Sequence, residues 1–328
     1  MKQSKKYTRI FVIFNLLLLI GGLILAVRLG SVHIDFYDIW ESIFNYSENL
    51  EMMLVRDIRI PRALSVLLTG GILGATGAMI QGVTKNPIAE PSILGVSQGA
   101  TLVIAIFYAT GVAINTTNVM IASLIGAFIT GIIVLGFISK KANNNSITKI
   151  LLAGTAMSTF FISLTTVIGL LSNQAQMIGF WVSGGFRNSS WADFRLVFVV
   201  GIIGLIIAMV LSPKINILNL GDDVAIGLGE NPGKIRFITL MVMIRAAAVA
   251  VGKNIAFVGL IVPQIVRKLL GEDYRRNIPC SFLLGAVLLT YADIAARMLF
   301  NPYETPIGVF TALIGVPFFI SVARKERG

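Results

Sequence analysis

The sequence predicts an all-α integral membrane protein of about ten transmembrane helices with both termini cytoplasmic. Three observations carry this: a composition too apolar for water, a succession of apolar runs of bilayer length, and Lys and Arg gathered on alternate loops. Of 328 residues, 55% are hydrophobic and 13% charged, and the mean hydropathy is +0.83. A soluble domain carries about a quarter charged residues, so this chain has too little polar surface to face water. Intrinsic disorder needs the opposite composition, charge-rich and apolar-poor. One transmembrane domain over residues 1–328 is expected.

A hydrocarbon core about 30 Å thick needs roughly 20 apolar residues per helix. The first run, Ile10 to Val27, follows Lys5, Lys6 and Arg9. It is long for a signal peptide, and Ala26-Val27-Arg28 is a poor cleavage site, so it reads as the first span. Further runs lie near 62–82, 92–110, 117–139, 147–171, 192–211, 235–252, 255–270, 278–297 and 306–323. The division of 235–270 rests on Gly252-Lys253-Asn254. With the N-terminus inside, about 18 Lys and Arg fall on inner segments and about 8 on outer ones, the asymmetry of an even number of spans. Gly70 and Gly74, and Gly95 and Gly99, form GxxxG pairs that let helix backbones approach closely.

The net charge of +11 follows from the same cytoplasmic bias, so nucleic acid is not an expected partner; membrane lipid is. One His and one Cys, His33 and Cys280, cannot build a zinc or iron site, which needs three or four ligands, and no metal or cofactor is expected. No nucleotide-binding loop is present: Gly233-Lys234 is followed by Ile235, and Gly252-Lys253 by Asn254. ATP-driven work would need a separate hydrolysing subunit. No Ser/His, Cys/His or paired-carboxylate constellation marks an intramembrane enzyme.

Some residues break the general pattern. Arg59 and Arg62 flank Pro61 at the outer start of the second span, and Arg297 sits at the outer end of the ninth. They read either as interfacial snorkelling or as a cationic patch for an acidic partner. Arg245 and Asp293 lie inside spans, where an ionisable group is costly unless paired. Asp293 can pair with Arg297 at i, i+4; Arg245 has no partner nameable from sequence. An ion-coupled secondary transporter using Asp293 and Arg245 is the alternative mechanism. The inner loop from Ser212 to Pro232 carries Leu218, Leu220, Val224, Ile226 and Leu228 against Asp222, Asp223 and Glu230. Short helices broken at Gly221 and Gly229 would suit docking to a soluble subunit, or would lie on the lipid surface.

The chain resembles the permease subunits of the iron–siderophore, haem and cobalamin uptake ABC transporters, from about residue 10 to 325. The densest match is Arg59 to Ala100: Arg59, Pro61, Arg62, Gly77, Gln81, Asn86, Pro87, Ala89, Pro91, Leu94, Gly95, Gly99 and Ala100 fit the family's spaced pattern. Leu218 to Gly229, Ile255 to Arg267, Ala292-Asp293 with Arg297, and Glu304 to Gly308 fit as well.

The resemblance implies a cobalamin-importer-like fold of ten helices. It further implies a second permease subunit, identical or homologous, two ATPase subunits and an extracytoplasmic substrate-binding protein. It places Arg59, Arg62 and Arg297 against carboxylates of that binding protein. It places Leu218, Leu220, Gly221, Asp222, Ala225, Leu228, Gly229 and Glu230 against the ATPase. The fifth and tenth spans line the pathway in the family, which points to Thr155, Ser158 and Thr159. The expected mechanism is alternating access, with no covalent chemistry in this chain. The run from Pro91 to Ser97 is most like hydroxamate-siderophore permeases, so ferric hydroxamate ranks first, then other siderophores, haem and cobalamin. Two departures stand out: Gln264 occupies the family's usual His position and cannot titrate near neutral pH, and Gly184-Gly185 replaces Gly-Ser.

Overall fold

The computed structural model describes the backbone of residues 2–325 except 31, 33, 48, 91–94, 113–115, 137–145, 183, 184, 188, 252–254, 301 and 302. Side chains are described for these residues apart from 2–5, 116, 117, 120, 134–136, 146–151, 180–182, 243–251 and 322–325. Pro91, Leu94 and Gly184, and the side chain of Arg245, therefore lie outside the described residues.

A helix lies over each of the ten predicted spans: α1 (Lys2–Arg28), α4 (Ile60–Thr84), α5 (Val96–Ala109), α6 (Thr116–Gly136), α7 (Ser146–Leu171), α9 (Trp191–Leu220), α11 (Pro232–Val251), α12 (Val258–Leu270), α13 (Tyr274–Met298) and α14 (Ile307–Lys325). Between them lie four short helices, α2 (Phe36–Phe44), α3 (Leu50–Met53), α8 (Ala175–Val182) and α10 (Asp222–Gly227). A π-helical stretch, Leu54–Arg59, joins α3 to α4. No strand occurs among the described residues. Among the described residues, five segments are long and apolar enough to cross a membrane: Lys6–Arg28, Leu50–Thr84, Leu152–Leu171, Trp191–Leu220 and Tyr274–Met298. Val96–Ala109, Ile121–Ile133 and Ile307–Ser321 are shorter apolar helices.

α4 is buried along nearly its whole length, as a helix apolar on every face must be. Its glycines make that possible. A Cβ at Gly70 would strike the Gly285 carbonyl and one at Gly74 the Ser281 carbonyl, so α4 and α13 touch backbone to backbone. The second GxxxG pair divides its work. Gly99 packs against Gly126 of α6, whereas Gly95 sits before α5 at φ 76°, a left-handed conformation that glycine adopts without strain. Around α4 the core combines Met79, Ile80 and Val83 with Ile215 and Leu218 of α9 and Ile278 of α13.

In α9 and α12 a side chain replaces the donor that an interior proline lacks. Pro213 removes an N–H from the middle of α9, and the Ser212 hydroxyl donates to the Met209 carbonyl at 2.7 Å. The predicted sixth span thus extends into what read as a loop. Pro263 leaves the Gly259 carbonyl of α12 without its usual partner. The Gln81 amide of α4 donates to that carbonyl at 3.3 Å and to Leu260 at 3.0 Å. α11 ends at Val251 and α12 begins at Val258; Gly252-Lys253-Asn254, on which the predicted division rests, lie outside the described residues.

Candidate functional site

At one end of the bundle the last turn of α1, the start of α4 and the end of α13 meet around three arginines. The π-helical stretch sets Arg59 beneath α1, where it donates to the carbonyls of Val27 at 2.8 Å, Arg28 at 2.9 Å and Val32. These include terminal carbonyls that a helix leaves without internal partners. Arg297 reaches the same turn from α13, donating to Ala26 and Leu29 at 3.1 Å each. Arg62 spans two carboxylates, Asp293 at 2.9 Å and Glu304 at 2.9 Å. Asp293 also pairs with Arg297 at 3.0 Å, the i, i+4 contact expected from sequence.

Arg59 and Arg62 are each 7% exposed, Arg297 8% and Asp293 1%. The arginines form a buried staple rather than a bare patch. Three guanidiniums against two carboxylates still leave one net positive charge at this corner. Just before Arg59 in the chain, Arg56 is exposed, its backbone carbonyl accepts from the Trp191 indole at 2.9 Å, and its guanidinium stacks over Tyr46, 4.7 Å from the ring centre. The sequence counted Arg56 among the outer-side cations but gave it no role, because nothing in its spacing ties it to the staple.

The opposite end carries the coupling-loop candidates. Leu218 ends the buried face of α9, and Gly221, at φ 131°, turns the chain into α10. Ala225 is buried, while Leu220, Val224, Ile226 and Leu228 are exposed, so the apolar side anticipated from sequence faces outward apart from Leu218. Gly229, at φ 80°, closes the turn. Asp222 accepts from Arg236 of α11 at 2.9 Å and pairs at 3.3 Å with Lys85, the residue that ends α4. Burial pushes its carboxyl up, but Arg236 and then Lys85 outweigh this and hold it below the usual carboxylate value. Glu230 pairs with Lys214 at 3.0 Å. α10 is thereby tied to α4, α9 and α11.

Between the two ends, residues after α4 fold back along α12. Glu90 is 8% exposed and accepts the Phe257 N–H at 2.6 Å. Phe257 stands at φ 70°, a strained conformation for a bulky residue, and its ring fills the space over Gly315 of α14. Gln264 donates to Pro87 and, at 3.3 Å, to the Gln81 oxygen, which also accepts from Arg267 at 3.3 Å. An amide suits this double-donor position without titrating. Glu90 and Phe257 escaped the sequence reading; a lone carboxylate between Ala89 and Pro91 was the available signal.

α7 presents a stripe of hydroxyls on its exposed face. Thr155 and Thr159 belong to it, and Ser163 and Thr166 prolong it at helical spacing. Each donates to a carbonyl three or four residues back. Ser158 is half-buried and turns toward Gly95. Alongside, α5, α7 and α8 enclose a cavity of about 330 Å³ lined by Gln98, Thr101, Ile162, Thr165, Thr166 and Ile178. Gln98, Thr101, Thr165 and Thr166 give it uncharged hydrogen-bonding groups. No cluster of His, Cys, Asp or Glu fit to hold a metal occurs among the described residues.

Known proteins resemble this chain along nearly its full length. The iron(3+)-hydroxamate import system permease protein FhuB of Bacillus subtilis is 39% identical over 99% of this chain and 85% of its own. The Fe(3+)-citrate import system permease protein YfmD of the same organism is 37% identical over 99% and 97%. An inward-facing metal-chelate-type ABC transporter superposes with a TM-score of 0.83 at 26% identity, covering 96% of this chain and 98% of that one. The sequence model of the FecCD transport family matches residues 17–325. With its buried α4, its apolar spans and its two polar ends, the chain belongs to the FecCD transport family, the multi-pass membrane permeases of ABC importers.

Proposed function

We propose that this permease carries a ferric siderophore, a hydroxamate complex first, between two permease subunits, identical or homologous. The observation that supports the hydroxamate is the uncharged, hydroxyl-rich face of α7 with its neighbouring cavity. Ferric trihydroxamates are neutral overall, and a neutral cargo needs no countercharge where the dielectric is low. The 39% identity to the hydroxamate permease supports the same reading. Thr155, Thr159, Ser163 and Thr166 line the route, and Ser158 fixes the α7–α5 contact beside it.

Two ATPase subunits hydrolyse ATP on the cytoplasmic side and press on exposed Val224 and Ile226 of α10 and on Leu220 and Leu228, which flank it. Because Asp222 binds Lys85 at the end of α4 and Arg236 of α11, movement of α10 passes into the bundle. A substrate-binding protein docks at the arginine end. Glu304, less buried than Asp293, occupies the outer side of Arg62. An incoming carboxylate exchanges with it, while Asp293 keeps Arg62 and Arg297 in place. Asp293 is committed to ion pairs with Arg62 and Arg297, a structural use of the carboxylate that speaks against the ion-coupled alternative.

Uptake of labelled ferric trihydroxamate, ferric citrate, haem and cobalamin in cells lacking this chain tests the cargo. Restoration of trihydroxamate uptake alone is expected; restoration of only another cargo overturns the hydroxamate reading. Uptake that collapses with the proton gradient at constant ATP would overturn the ATP-driven mechanism.

A further inference from the structure

The helix α2 is amphipathic the wrong way round for a soluble surface. Phe36, Tyr37, Trp40, Ile43 and Phe44 share one face, an arc of about 120° at helical spacing. All five are exposed, from 54% to 68%. The polar residues lie on the other side: Ser42 is buried and donates to Ile39 at 2.7 Å, and Asp38 and Glu41 are partly covered. A packed α2 thus turns its aromatic face away from the protein, where water would penalise it.

The topology says what covers that face. α2 lies between two membrane-crossing segments, Lys6–Arg28 and Leu50–Thr84. Arg59 fastens the second to carbonyls of Val27, Arg28 and Val32, so both segments reach the same membrane surface just where α2 begins. The Arg28 guanidinium stacks over Phe36, 4.4 Å from the ring centre. Below it α1 exposes Leu17, Ile20 and Ile24, which share the stripe of Arg28 at helical spacing. Trp and Tyr concentrate at that depth in membrane proteins because a ring with one polar edge suits the headgroup boundary.

We infer that α2 lies in the outer headgroup boundary of the bilayer, its occupant being lipid, with the Trp40 ring at the level of the upper acyl chains. Asp35, Asp38 and Glu41 give the segment acidic character. The attraction is apolar, and zwitterionic lipid suffices.

The probe is Trp40 fluorescence in the full chain, reconstituted in phosphatidylcholine vesicles whose acyl chains are brominated close to the headgroup or close to the methyl end. The difference in quenching between the wild type and Trp40→Phe isolates this residue from Trp181 and Trp191. Shallow bromines should remove most of the Trp40 emission, deep bromines little, and aqueous iodide little. A blue-shifted maximum in a Trp181→Phe, Trp191→Phe chain should agree. Strong iodide quenching with no bromine effect overturns the inference. So does shielding of Trp40 from iodide that appears only when a binding protein or second permease is added, which would make the face a protein contact.

Discussion

The two ends of this bundle hold similar charged residues and use them oppositely. At the arginine end the Arg62–Asp293 pair has side chains 8% and 1% exposed. At the α10 end the Lys85–Asp222 pair has 34% and 39%. Buried charges with one partner removed are severely destabilising, whereas exposed pairs contribute little and exchange freely with water. The first end is held in shape by buried charge, while the pairs of the second stay open to water. The middle, where Glu90 holds Phe257 and Gln81 reaches across to α12, joins them through hydrogen bonds.

The comparison breaks most severely at Asp293. Asp293→Ala should destabilise the protein by about 3–5 kcal/mol, since two buried guanidiniums lose their shared partner. Thermal unfolding in detergent reads this, and an unchanged midpoint would remove the staple from the account. Next comes Gln81→Leu, expected to cost about 1–3 kcal/mol because the Gly259 carbonyl beneath Pro263 loses its donor. The same unfolding measurement, set beside Gln81→Glu, separates the amide donor from simple packing.

At the other end, Ile226→Asp should abolish co-purification of the ATPase while the unfolding midpoint stays within the scatter of exposed substitutions, about 0.5 kcal/mol. Retained ATPase would take α10 out of the coupling surface. A smaller effect should appear on acidification. Asp222 titrates below the ordinary carboxylate range, so its ties to Arg236 and Lys85 are fully present above that range and are lost as pH falls through its lowered value. Hydrogen exchange at α10 should rise there, and Asp222→Asn should remove that rise. Smallest of all, Glu230→Gln should change stability by less than about 1 kcal/mol, as an exposed pair does.

Much of the molecule was legible in the residues. Span positions followed from apolar runs, because lipid demands length and hydropathy from each helix separately. The Asp293–Arg297 pair followed from i, i+4 spacing, and the breaks at Gly221 and Gly229 from glycine itself. Other features were invisible for a physical reason. Arg62 meets Asp293 across most of the chain, and Glu90 finds Phe257 through a fold-back that has no periodicity. α9 ran past its predicted end because Ser212 compensates Pro213, and α2 is too short to register as a span.

By itself, then, the sequence determined that the chain crosses a membrane many times, which way its charged loops lie and which family it resembles. These depend on composition and local spacing. Only the tertiary structure decided that Arg59, Arg62 and Arg297 are buried against α1 and α13, that Gln81 serves Pro263, and that the aromatics of α2 face outward. Burial and long-range hydrogen bonds are properties of two segments brought together, and neither segment carries them alone.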